Sequence, residues 1–191
     1  MAAALASAAA TPALAHSVPG DPDPGRTLYV LPGLLASTGF RACCAEDRDG
    51  GFIDLGIEIS AHRFVPASGG TILTQLGYGG LVQAQLGGIP LVDHPSAREV
   101  GTSFRLAVGA EGTFGPLGAQ AGVMTRMGSE TYGTAVGPFG GLFVSLGIFS
   151  VGMQVDVPLA SAGGEGRMPV LVTMPVTLKW LFPVELGPRA P

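Results

Sequence analysis

The 191 residues allow one domain of ordinary size, but only 13% are charged, against about 25% in a typical soluble domain, and mean hydropathy is +0.43. That balance excludes an ordinary water-covered surface, and the net charge of -4 excludes the basic face that nucleic acid requires. No apolar run approaches the ~20 residues of a spanning helix and glycine interrupts most candidates, so a membrane reading has to use strands.

Residues 2–15 are Ala-rich and end in Ala13-Leu14-Ala15 before His16, a small-x-small export cleavage pattern. A basic n-region is missing, so residues 1–15 read as a signal-peptide remnant, with a plain low-complexity tail as the alternative. Residues 16–26, with Pro19, Pro22 and Pro24, read as a disordered lead. Strand one is expected over Thr27 to Ser37, where Leu28, Val30, Leu34 and Ala36 share a face that Leu31 and Leu35 blur. The polar stretch 38–51 follows as an exposed loop. It holds Cys43 and Cys44, whose adjacency matches neither a zinc site nor a disulfide framework. They read as loop thiols, a strained vicinal disulfide or an interchain pair being the alternatives.

Strand two, Phe52 to His62, sets Ile53, Leu55, Ile57, Ile59 and Ala61 against Asp54, Gly56, Glu58, Ser60 and His62 in near-ideal period two. A connection over 63–70 leads to strand three, Thr71 to Leu86, with Gln75, Gln83 and Gln85 on its polar side. After a second long loop, 87–101, strand four (Thr102 to Phe114) separates Phe104, Leu106 and Val108 from Arg105 and Glu111. Gly115-Pro116 makes a tight turn into strand five, Leu117 to Arg126, with Gln120, Met124 and Arg126 on one side. Strand six, Tyr132 to Leu146, contains Gly137-Pro138-Phe139-Gly140-Gly141, read as a bulge or break. Strand seven, Phe149 to Leu159, alternates Val151, Met153, Val155 and Val157 with Ser150, Gly152, Gln154 and Asp156.

The cleanest alternation closes the chain. Over Met168 to Phe182, Val170, Val172, Met174, Val176, Leu178, Trp180 and Phe182 oppose Leu171, Thr173, Pro175, Thr177, Lys179 and Leu181. Eight strands result, with long or polar connections tending to one end and tight ones to the other. This predicts an all-β, eight-stranded antiparallel up-and-down transmembrane β-barrel over residues 27–183, with a tail at 184–191.

In that barrel the apolar faces meet lipid and the lumen collects Asp54, Glu58, Glu111 and Asp156 with Arg105, Arg126, Lys179 and His62. Charges in so narrow a tube have to be paired, so the expectation is an ion-paired, largely filled interior without a wide channel. Ile57, Val108, Val151, Val155, Val172 and Val176 are expected to face lipid, with Trp180 and Phe182 at the interface. The competing fold is a soluble lipocalin-like barrel or β-sandwich, with Val151, Val155, Val172 and Val176 in a dry centre and Arg105 and Asp156 in water. Its water-facing side should be rich in Lys, Glu and Asp, whereas the polar faces here are mostly Gly, Gln, Ser and Thr.

Glu58, Ser60 and His62 share a face of strand two with Cβ atoms about 6.5–7 Å apart in succession, just close enough for a hydrolytic set to meet. Lumen filling is the preferred reading of the three, and no catalytic residue is assigned. The scattered His16, His62 and His94 propose no metal site, and no cofactor is expected.

The strand pattern, the loop asymmetry and the aromatic closing strand with Trp180 and Phe182 make residues 27–182 resemble the small outer-membrane β-barrel family of Gram-negative envelopes, the OmpA-transmembrane-domain and OmpX-like group. The resemblance implies export to the outer membrane, contact with its lipid, and insertion by the barrel-assembly machinery. Pro138, Pro175 and the nine residues after Phe182 depart from that family's pattern. Three functions follow in order: an envelope structural or surface-interaction protein, a narrow porin-like conduit for small solutes or hydrophobic molecules, and an outer-membrane lipid hydrolase.

Overall fold

The computed structural model describes residues 27–42, 52–65, 76–90, 103–129, 133–163 and 168–185. The expected signal remnant, the lead, Cys43, Cys44 and residues 71–75 of strand three lie outside them. Among the described residues ten strands are present: β1 (Thr27–Ala42), β2 (Phe52–Val65), β3 (Leu76–Pro90), β4 (Ser103–Phe114), β5 (Leu117–Ser129), β6 (Gly133–Leu146), β7 (Phe149–Asp156), β8 (Ala160–Ala162), β9 (Val170–Lys179) and β10 (Phe182–Glu185). Each neighbour pair is antiparallel, and β9 returns to β1 from Gly33↔Lys179 to Ala42↔Val170, which closes the sheet. The ten strands make eight staves. β7 and β8 both pair with β6, and β9 and β10 both pair with β1, so each couple is one stave with an interruption.

The interruption between β7 and β8 has a chemical cause. Pro138 has no donor, and the sequence predicts a bulge or break there; instead β6 runs unbroken and the partner stave deforms. The Pro138 carbonyl accepts from Val157 N at 2.9 Å and the Val136 carbonyl from Leu159 N at 3.0 Å, while the ladder leaves its register between Asp156 and Ala160. Gly137 makes this bend fit, since a Cβ there would collide with the Val157 carbonyl. Pro175 acts on the same stave from the other side. Its β1 face keeps register at Ser37↔Pro175, whereas on the β7 face pairing skips from Val151↔Val176 to Gln154↔Thr173. The missing proline donor explains that gap, and stave seven is the most loosely tied wall element.

β1 runs past its expected end at Ser37 to Ala42, and β2 past His62 to Val65. At the C-terminus, pairing reaches Glu185, opposite Thr27. One end of the barrel carries the tight turns at Gly115-Pro116 and Gly147-Ile148, where Gly115 (φ 56°) and Gly147 (φ 71°) occupy the left-handed region that favours glycine. At the opposite end, called the loop end, β1, β3 and β5 finish and β2, β4 and β6 begin.

Polarity is inverted relative to a water-soluble barrel. Arg105 and Asp156 are 1% exposed, while Leu142 is 66%, Ile57 52% and Val108 55% exposed. Val151, Trp180 and Phe182 also face out, and Val155, Val172 and Val176 lie half-buried on the same outer wall. A 12-residue stave such as β4 is about 40 Å long and, tilted by about 45°, rises about 29 Å, enough to cross a hydrocarbon layer. An apolar wall around a polar interior is stable in lipid and not in water, which removes the soluble-sandwich alternative. The chain is a transmembrane β-barrel. Val108→Arg is accordingly expected to destabilise the folded barrel by about 2–4 kcal/mol if Val108 sits near the bilayer midplane. Urea titration in vesicles checks it, and a cost near zero would place the residue in water or at the rim.

Candidate functional site

Closure stacks the inward side chains of all eight staves into one column. Near the loop end, Arg126 Nη2 meets Asp54 Oδ2 at 2.7 Å and Nη1 donates to Ser103 Oγ at 2.9 Å. At mid-height, Arg105 grips Asp156 with two bonds, Nε to Oδ2 at 2.8 Å and Nη2 to Oδ1 at 3.0 Å, while Nη1 donates to Gln83 Oε1 and Gln85 Oε1. Toward the turn end, Lys179 Nζ donates to both Glu111 oxygens at 3.0 and 3.1 Å and pairs with Glu58. His62 Nε2 lies 3.3 Å from Glu111 Oε1.

Glutamines join these pairs. Gln83 Nε2 donates to Glu58 at 2.8 Å, Gln154 Nε2 to Asp156 at 2.9 Å, and Gln120 Nε2 to Gln154 at 3.0 Å. A continuous polar path therefore runs from His62 through Glu111, Lys179, Glu58, Gln83 and Arg105 to Asp156. The seven charged residues singled out from the sequence all lie in the lumen, with Asp54 and Arg126 paired nearer the loop end.

The alternation did not reveal the aromatic partners. Each lumen cation faces an inward phenyl ring: Arg105 Cζ is 5.3 Å from the Phe139 centroid, Arg126 Cζ 5.7 Å from Phe52, and Lys179 Nζ 5.7 Å from Phe143. Inward glycines supply the space. A Cβ on Gly122 would strike Phe139, on Gly39 Phe52, on Gly118 Phe143 and on Gly77 Phe64. The sequence signal was there: an inward glycine implies that a side chain from a neighbouring stave fills its place.

Apolar groups occupy the ends of the column. Tyr29, Leu31 and Phe64, with Leu181 against them, form one cluster near the turns; Phe52, Ala135, Met168 and Leu171 form another near the loops. Between them, Leu81, Ala107 and Met124 pack on Phe139. Two voids of about 10 Å³ flank Lys179, one also bounded by His62, Glu111 and Ser145, the other by Gln83, Gln120 and Pro175. Each has room for roughly one water.

Ser60 shows why the Glu58, Ser60 and His62 set does not form a nucleophile and base. Its Oγ is 3.5 Å from Lys179 Nζ, an amine already engaged by two carboxylates and thus a donor, and Ser60 is buried at 1% exposure. Among the described residues, no group of three or more His, Cys, Asp and Glu side chains could hold a metal ion.

The architecture and the lumen define a class: a small membrane barrel with a packed, ion-paired interior. No family model and no curated protein sequence matches the chain. Among solved structures it is similar to Ail, the attachment invasion locus protein of Yersinia pestis, at 9% identity over 82% of this chain and 99% of that one, with a TM-score of 0.25. A likeness that slight carries no argument, and the assignment stands on the barrel's own polarity and closure.

Proposed function

We propose that the protein is an integral outer-membrane barrel that serves as a structural or surface-interaction element of the envelope, anchored by a sealed body and acting through the segments at its loop end. The carrying observation is the polar column from Glu111 to Asp156, which fills the bore with side chains bonded to one another, with His62 against its end. Closed single-chain antiparallel barrels with an even number of staves are the outer-membrane form of this fold, which supports that compartment. Outer-membrane lipid is then its surrounding solvent, and the barrel-assembly machinery its partner during insertion.

Filled lumen and function are linked by energetics. Opening a passage would separate Arg105 from Asp156 or Lys179 from its two carboxylates, leaving buried charge unpaired at several kcal/mol per ion. Purified protein reconstituted in planar bilayers is therefore expected to leave conductance at baseline. A steady ohmic current across many insertions would replace the sealed anchor with the narrow-conduit reading.

A further inference from the structure

Among the described side chains on the outer wall, Arg63 is the one that carries a charge. Alternation along β2 turns it outward between buried His62 and Phe64, and it is exposed. Every lumen cation has a carboxylate, whereas no carboxylate among the described residues pairs with Arg63. It sits at a defined height. Arg63 is registered against Tyr78, and the next outward row toward the turns runs Val65↔Leu76 and Leu76↔Phe114. Tyr78 and Phe114 are 51% and 56% exposed, and Trp180 and Phe182 also face out near this end of the barrel.

A guanidinium on a lipid-facing wall, with no carboxylate partner among the described residues, needs a counter-charge. At the midplane it would cost about 2–4 kcal/mol, but near the interface about 0–1, because the aliphatic stem lies on the wall while the head reaches the headgroups. The groups at that depth are lipid phosphates. A guanidinium fork matches a phosphate with two parallel bonds, and the neighbouring Tyr78 hydroxyl supplies a further donor. Below the pair, Ala61 and Val82 continue the apolar wall along which acyl chains lie.

We propose that Arg63 and Tyr78 form a binding site for the phosphate of a glycerophospholipid headgroup in the leaflet at the turn end. An anionic lipid such as phosphatidylglycerol is favoured over a zwitterion, whose own ammonium already answers its phosphate. In an outer membrane the turn end faces the periplasm, so the site takes a lipid of the inner leaflet. The site rests on the membrane reading above and adds a specific ligand to it.

The test uses the full chain folded into phosphatidylcholine vesicles, with spin-labelled phosphatidylglycerol or spin-labelled phosphatidylcholine as probe. Wild type is expected to hold the anionic probe at least threefold more strongly at low salt. Arg63→Gln is expected to bring that ratio to about one, Arg63→Lys to keep most of it, and Tyr78→Phe to reduce it in part. An inserted Arg63→Gln barrel with the wild-type ratio overturns the site alone. A wild-type chain that never inserts overturns the membrane reading and the site together.

Discussion

Arg105→Leu is expected to lower the unfolding free energy of the barrel by about 3–5 kcal/mol, read as a fall of about 1 M or more in the urea midpoint. Arg105 is 1% exposed, and its guanidinium serves four acceptors: both oxygens of Asp156 and the amide oxygens of Gln83 and Gln85. Leucine would leave the Asp156 carboxylate, which also accepts from Gln154 Nε2, without its cation inside a wall of low dielectric. The charge, more than the lost packing, sets the size of the effect. Arg105→Leu/Asp156→Leu should accordingly recover a good part of the loss, because removing both partners costs far less than stranding one. A double variant no better than the single would show that the side chain's volume against Phe139 matters more than its charge.

Much of the wall was legible because its rule is local. From Ile53 to His62 the pattern alternates residue by residue, and burial in the barrel follows it. The apolar exceptions were not legible. Leu31, Leu35, Leu81, Ala107 and Leu171 point inward, and a binary reading can only register them as blurs. Their place depends on closure, which brings Leu31 beside Tyr29 and Phe64 as part of an end cluster. The pairing was hidden for the same reason. Arg105 and Asp156 stand 51 residues apart, and which inward charge meets which is set by the stagger of eight staves around the bore. Pro138 shows a third limit: the sequence located the irregularity, but the neighbouring stave took the distortion at 157–159, since a sheet can place a missing donor's consequence on either strand.

Lys179→Met should cost as much as the arginine substitution, for a sharper electrostatic reason. The ammonium stands between two carboxylates from different staves, Glu58 on β2 and Glu111 on β4, and it donates to both Glu111 oxygens. Removing it leaves two like charges facing one another across the void where the amine had been, so repulsion adds to desolvation. The expected loss is about 3–5 kcal/mol in urea titrations at neutral pH. Neutral partners isolate the cause. Glu58→Gln/Glu111→Gln/Lys179→Met keeps the shapes and the hydrogen-bonding amides but carries no charge at this height, and should return most of the stability. Recovery in that triple variant identifies charge balance as what holds the turn-end half of the lumen together. A triple variant as unstable as Lys179→Met would assign the role to the contact of the lysine side chain with the Phe143 ring, and charge balance would not be what holds this half of the column.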